Sequence, residues 1–138
     1  MDLSGPGVFQ LHPPRADITA REVCRSGGVL RLLQEAAVAD SVRRGWDPLR
    51  YRQEQTGFII YKARLIQRQE IPSGPAVTAR TWVLDFRRGT LSRRLIHLLS
   101  SDGELLVEAL QEWAHITLPE LRPARAPSAL LEAFSPSH

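Results

Sequence analysis

Apolar positions fall into two regimes along the chain. After the break at Ser26-Gly27-Gly28, the run VLRLLQEAAVADSVRR is rich in Leu, Ala, Glu, Gln and Arg and predicts a helix of about 18 residues, some 27 Å long. Ser26 is placed to cap its start, and Gly45 follows its end, with Arg43 and Arg44 where cations suit the helix dipole. Val29, Leu30, Leu32, Leu33, Ala36, Ala37, Val38, Ala39 and Val42 cover most of its circumference, the pattern of a helix buried on all sides. From Thr56 onward the period changes. Runs over Thr56–Arg68, Ala76–Phe86, Thr90–Ser100 and Glu104–Leu118 are strand-like, recurrent in β-branched and aromatic residues. Turn residues separate them at 71–75, 87–89 and 101–103, which predicts consecutive antiparallel neighbours. A short edge strand is expected at Val8–His12 and a poorly patterned extended segment at Ala16–Val23. Gly45–Gln55 reads as a loop. The tail, Pro119–His138, has four prolines and reads as irregular, with a short helix at Ser128–Phe134.

One long helix followed by four antiparallel strands predicts an α+β fold in which a curved sheet wraps the helix. One domain accounts for all 138 residues, with its core at about 8–118. Such a sheet leaves edges open, so a homodimer is expected, with dimers able to pair into tetramers.

Composition narrows the functional classes. Hydrophobic residues make up 43% and charged residues 24%, ordinary values for a globular chain. No segment has the length of a membrane span, and residues 1–7 lack a signal pattern. With a lone cysteine, Cys24, this points to the cytoplasm. The four histidines are scattered, so no metal site or cofactor is expected. The net charge is +3, and every cation but Lys62 is an arginine. The arginines fall in scattered pairs and build no basic stripe with exposed aromatics, which argues against nucleic acid.

The motifs resemble two groups of hotdog-fold thioesterases. Leu32-Leu33-Gln34-Glu35-Ala36-Ala37 is similar to the helix motif in the first repeat of the fatty acyl-ACP thioesterases. In the same order follow Thr81-Trp82, Arg93-Arg94, Asp102-Gly103-Glu104, Glu112-Trp113-Ala114 and an arginine-then-proline exit at 122–127, so the likeness spans most of the chain. Gly27-Gly28-Val29-Leu30, with Glu35 seven residues after the second glycine, resembles the helix start of phenylacetyl-CoA and 4-hydroxybenzoyl-CoA thioesterases. Ser26 stands where those have histidine, and Ala39 where they have a hydroxyl. Two-repeat enzymes carry their catalytic Asp, Asn and His in the second repeat. This chain has one repeat, and Asp17 lacks the partners of the Asp-x-Asp…His-Val-Asn-Asn branch. The resemblance therefore implies an acyl-CoA or acyl carrier protein substrate, in fatty-acid or polyketide metabolism, and catalysis that either runs through the helix acid or is absent.

Thioester hydrolysis needs polarisation of the carbonyl oxygen and an activated water or carboxylate. The helix-start amides of Gly27, Gly28 and Val29 are candidate oxyanion donors; a simple turn into the helix is the plainer reading. Glu35, among apolar neighbours, is the candidate base or nucleophile, against a surface pair with Arg31. Gln34 is a candidate to orient water or the acyl group, or else a polar helix position or dimer contact. Phe58, Trp82 and Trp113 are expected in the core and along an acyl pocket. Arg87, Arg88, Arg93 and Arg94 are candidates for the phosphopantetheine or a carrier protein. Asp40 and Ser41 read as solvated or interfacial, His97 and His115 as structural, and Cys24 as packed. Two competitors are a 3-hydroxyacyl dehydratase, with His12 as its only upstream histidine, and a hotdog that binds acyl chains without turnover.

Overall fold

The computed structural model describes residues 5–134. The chain runs through β1 (Gly7–Leu11), a 3-10 turn (Arg15–Asp17), α1 (Ser26–Arg43), α2 (Pro48–Gln53), β2 (Thr56–Gln67), β3 (Val77–Arg87), β4 (Leu91–Leu99), β5 (Leu105–Thr117) and α3 (Ser128–Ala133). The strands form one antiparallel sheet in the order β1-β3-β4-β5-β2, with α1 against one face. This is the expected α+β arrangement, and every expected strand lies within one residue of the observed one at either end.

Several expectations need correction. Residues 16–23 are not extended. Asp17 and Ile18 donate back to the Pro14 and Arg15 carbonyls, and Glu22 takes a left-handed φ of 61°. The 45–55 segment is not all loop. Asp47 accepts from the Arg50 amide at 2.8 Å and Pro48 takes the first helical position, so α2 starts there. Finally, β2 does not pair with β3, its successor, but with β5 at the far edge. At about 3.3 Å per residue, the 68–76 connection can cross the three intervening gaps of about 4.8 Å. Its Ile71 is fully buried on the way, and its carbonyl accepts from the Cys24 amide.

The helix is not wrapped on all sides. Gly28, Val29, Leu32, Leu33, Ala36, Ala37 and Asp40 form the buried stripe, at the spacing of one helical face. Against it pack Val77 and Ala79 of β3, Ile96 and Leu98 of β4, and Val107 and Ala109 of β5. On the other side Leu30, Val38 and Val42 are exposed, beside Gln34 and Glu35. A sheet on one side of a helix covers only one side. The second apolar face therefore has no cover among the described residues.

A second cluster closes the other end: Trp46, Val83, Ala126, Leu130 and Phe134. Packing thus runs past residue 118 into the tail, where the Ala126 amide donates to the Gly89 carbonyl.

Between the clusters lies a buried ion group. Asp40 was expected at the surface but has no exposed area. Its Oδ1 accepts from Arg43 Nε at 3.1 Å, and its Oδ2 from Arg44 Nε at 3.1 Å and Arg94 Nη1 at 2.9 Å. Arg94 Nη1 also donates to Thr81 Oγ1 at 2.9 Å. Arg94, a candidate for the phosphopantetheine or a carrier protein, is buried because β4 alternates strictly and places 92, 94, 96 and 98 toward the helix. Removing the only carboxylate bound to three guanidinium groups should cost more than removing one of the three. We expect Asp40→Asn to lose about 3–5 kcal/mol of unfolding free energy, and Arg94→Met, which keeps an apolar stem, to lose clearly less. Urea denaturation of the two variants measures the difference.

Candidate functional site

A cavity of about 470 Å³ lies between the C-terminal half of α1, α2 and the inner face of the sheet. From α1 it is lined by Gln34, Ala37, Val38 and Ser41, and from the sheet by Phe58, Val83, Phe86, Ser92, Arg94 and Trp113. Trp46 and Tyr51 close it on the α2 side and Phe134 on the tail side. The aromatic wall is interlocked: Tyr51 is edge-on to Phe58 at 6.2 Å, and Phe58 is edge-on to His115 at 5.3 Å.

The polar groups of the wall are partly committed to one another. Ser41 Oγ donates to the Trp46 carbonyl at 2.7 Å, so the Tyr51 hydroxyl, also at 2.7 Å, donates to Ser41. Burial pushes the Tyr51 hydroxyl above the usual tyrosine range. Behind Phe58, buried His115 sets Nδ1 2.8 Å from the Ala124 carbonyl, so Nδ1 carries the proton; its Nε2 faces Thr56 Oγ1. Burial lowers its pKa below the usual histidine range, and it stays a neutral structural clamp on the tail.

Of the candidate site residues singled out in the sequence, the cavity brings together Gln34, Phe58, Arg94 and Trp113. Glu35 is exposed on the helix, between cavity-lining Gln34 and Val38, and is not desolvated within the chain. Trp82 is not at the cavity. It lies on the opposite face of the sheet, edge-on to His97 at 5.3 Å. Arg93 shares that face and is held bidentate by Asp85, which lowers the pKa of the Asp85 carboxyl. Arg87 is 3.8 Å from Glu112. Arg88 is exposed in the β3–β4 turn with φ 56°. Arg87 and Arg88 follow cavity-lining Phe86 in the chain; Arg93 and Arg94 point to opposite faces.

The start of α1 departs from the expected oxyanion pole. The amides of Gly28 and Val29 both donate to the Arg25 carbonyl, at 2.9 and 3.1 Å, and both residues are buried. Neither is turned outward. Only Gly27, half-buried, remains of the three. Beneath it buried Asp17 accepts from Arg25 and from Arg31, which holds its carboxyl below the usual range. Burial and the nearby Asp17 carboxylate raise the Cys24 thiol, so the helix start does not activate it. Sequence reasoning missed the Asp40–Arg94 pair and the Ser41–Tyr51 bond. Among the described residues no cluster of His, Cys, Asp or Glu could hold a metal, and no helix is long and apolar enough to cross a membrane.

The glycines differ in what they do. A Cβ on Gly28 would lie 2.5 Å from Cys24 Sγ and 2.7 Å from Asp17 Cβ, whereas one on Gly27 meets only the tip of Arg31 at 3.3 Å. Gly28→Ala should therefore destabilise the fold by about 1–3 kcal/mol through overpacking, with Gly27→Ala close to wild type. Paired thermal denaturation tests the contrast.

No family model and no curated protein matches the chain. Solved structures do. The 1,4-dihydroxy-2-naphthoyl-CoA thioesterase from Synechocystis superposes with a TM-score of 0.83 over 94% of this chain and 96% of its own, at 14% identity. The DHNA-CoA thioesterase from Staphylococcus aureus gives 0.85 over 94% and 89%, at 16% identity. An acyl-ACP thioesterase from Bacteroides thetaiotaomicron gives 0.78 at 16% identity; the match covers 91% of this chain and 52% of that one, about half its length. The fold shared with these proteins is the hotdog fold.

Proposed function

We propose that this hotdog chain hydrolyses acyl thioesters of coenzyme A or an acyl carrier protein. The observation that carries the reading is the apolar, aromatic-walled cavity lined by Gln34 and Val38, the residues that flank Glu35. The acyl group occupies the cavity, and Glu35 at its border acts as base or nucleophile on the thioester carbonyl. Gln34 orients the water or the acyl group. Arg87 and Arg88, following Phe86 in the chain, contact the phosphopantetheine arm or the carrier. The named activities of the three fold relatives support the same chemistry.

The reading requires two copies. Gly27 lies eight residues before Glu35, about 12 Å along the helix, further than one carbonyl group spans. One copy's helix start therefore faces the carbonyl on which the other copy's Glu35 acts, directly or through water. Edge strand β2 and the uncovered face of α1 supply the surface for this homodimer. Ile59, Ile60, Tyr61, Leu65 and Ile66 are all exposed along β2, as are Leu30, Val38 and Val42 on α1. A long apolar edge of this kind calls for a cover.

Thiol release from a panel of acyl-CoA and acyl-ACP substrates tests the activity. We expect release by the wild type, and a fall of about 100-fold or more in Glu35→Ala, the loss of a general base or more. Undiminished release in the variant would move catalysis away from Glu35. Release from no substrate would replace hydrolysis with acyl binding or with the dehydratase. Light scattering tests the assembly. The wild type should show at least twice the mass of the chain, and Ile59→Lys/Ile66→Lys, which charges two exposed apolar positions of β2, should show a monomer.

A further inference from the structure

We propose that the cavity selects acyl groups that carry an acceptor oxygen, a phenol or a carboxylate, at the end remote from the thioester, and that Arg94 is the residue that selects them. The inference rests on the reading that the cavity holds the acyl group, and it adds which acyl groups fit.

Three observations converge on Arg94. It is a buried guanidinium in the wall of an otherwise largely apolar cavity. Its bonds to Asp40 and Thr81 both leave from Nη1. A guanidinium has five N–H groups, so those on Nε and Nη2 remain. Among the described residues no fully buried side-chain nitrogen lacks a partner, so Nε and Nη2 are reached from open space, and the space beside Arg94 is the cavity.

Charge points the same way. Asp40 is the one carboxylate for three guanidinium groups. Arg44 and Arg43 have additional acceptors in the carbonyls of Ala133 and Gly5. Among the described residues Arg94 has only the Thr81 hydroxyl besides Asp40, and the Phe134 ring 5.8 Å from its Cζ. A buried cation so partnered favours a further acceptor over a methyl group. The hydroxyls of Ser41 and Tyr51 do not compete as donors, since the Ser41 hydrogen goes to the Trp46 carbonyl and the Tyr51 hydrogen to Ser41 Oγ. Flanking aromatic rings, Trp46, Tyr51, Phe58 and Phe86, give flat apolar contact for the part of the acyl group between the thioester and Arg94.

The test separates selection from turnover by using ligands that cannot be hydrolysed. The N-ethylamides of 4-hydroxyphenylacetic, 4-carboxyphenylacetic and 4-methylphenylacetic acid differ only at the far end of the ring. Their binding to the full chain is followed by quenching of tryptophan fluorescence, to which cavity-wall Trp46 and Trp113 contribute. We expect the hydroxy or the carboxy amide to bind about ten-fold or more tighter than the methyl amide, the ratio for one hydrogen bond to a charged donor. Whichever binds tighter identifies the oxygen. In Arg94→Met the preference should vanish while the methyl amide still binds. Equal binding of all three by the wild type, or a preference that survives in the variant, overturns the proposal. The wild-type comparison decides even if the variant fails to fold. Discrimination without thiol release from any thioester would leave the selectivity standing and remove hydrolysis; thiol release without discrimination would do the reverse.

Discussion

The structure turns on a carboxylate in an unfavourable place. Asp40 sits in the last turn of α1, where the helix dipole disfavours a negative charge, and it has no contact with water. It is tolerable only because three arginines surround it, and that requirement fixes several distant parts of the chain at once. Arg94 ties the helix to the middle of the sheet. Arg44 reaches the Ala133 carbonyl at the end of α3, and Arg43 the Gly5 carbonyl before β1. Both ends of the described chain are thus referred to one side chain on the central helix. Apolar packing brings α1 onto the sheet; the ion group sets where along the sheet its C-terminal half rests.

This also explains why the cavity is where it is. The first half of α1 lies close on β3, β4 and β5 through Val29, Leu32 and Leu33. In the second half, arginine side chains and aromatic rings stand between helix and sheet, and these shapes leave open volume. Helix start and cavity thereby lie at opposite ends of α1, with Glu35 between them.

Much of this was legible in the sequence. The helix and all five strands were readable because their periods are long and their boundaries carry Gly, Pro or Asp. The pairing of β2 was not, since strand order depends on which edge needs covering and a turn-like connection such as 68–76 does not reveal it. α2 was readable in principle from Asp47-Pro48, a cap followed by proline, but its six residues are too few to show a period. The apolar circumference of α1 was real, yet it could equally mean burial within one chain or two faces with different partners. Arg94 was hidden by its neighbours. In LSRRLIHLL both alternating sets mix arginine with leucine or isoleucine, so periodicity alone cannot say which arginine turns inward. Nor does sequence spacing disclose that Gly28 is small because Cys24 and Asp17 crowd it.

The position of Phe134 has a consequence for how this cavity can change over evolutionary time. Its ring forms part of the cavity wall and lies near both Arg44 and Arg94, yet it belongs to the segment after β5, outside the sheet. Strand residues are constrained on two sides by ladder register and by α1. Phe134, which follows the short helix α3, is held by packing and lies outside the ladder. Substitutions there can deepen or shorten the compartment while leaving the register of the sheet intact. Under the proposed reading of the cavity as the acyl site, the size of the acyl group is adjustable in this segment, separately from the sheet that carries Arg94, and chains with the same sheet can diverge in what they accept here.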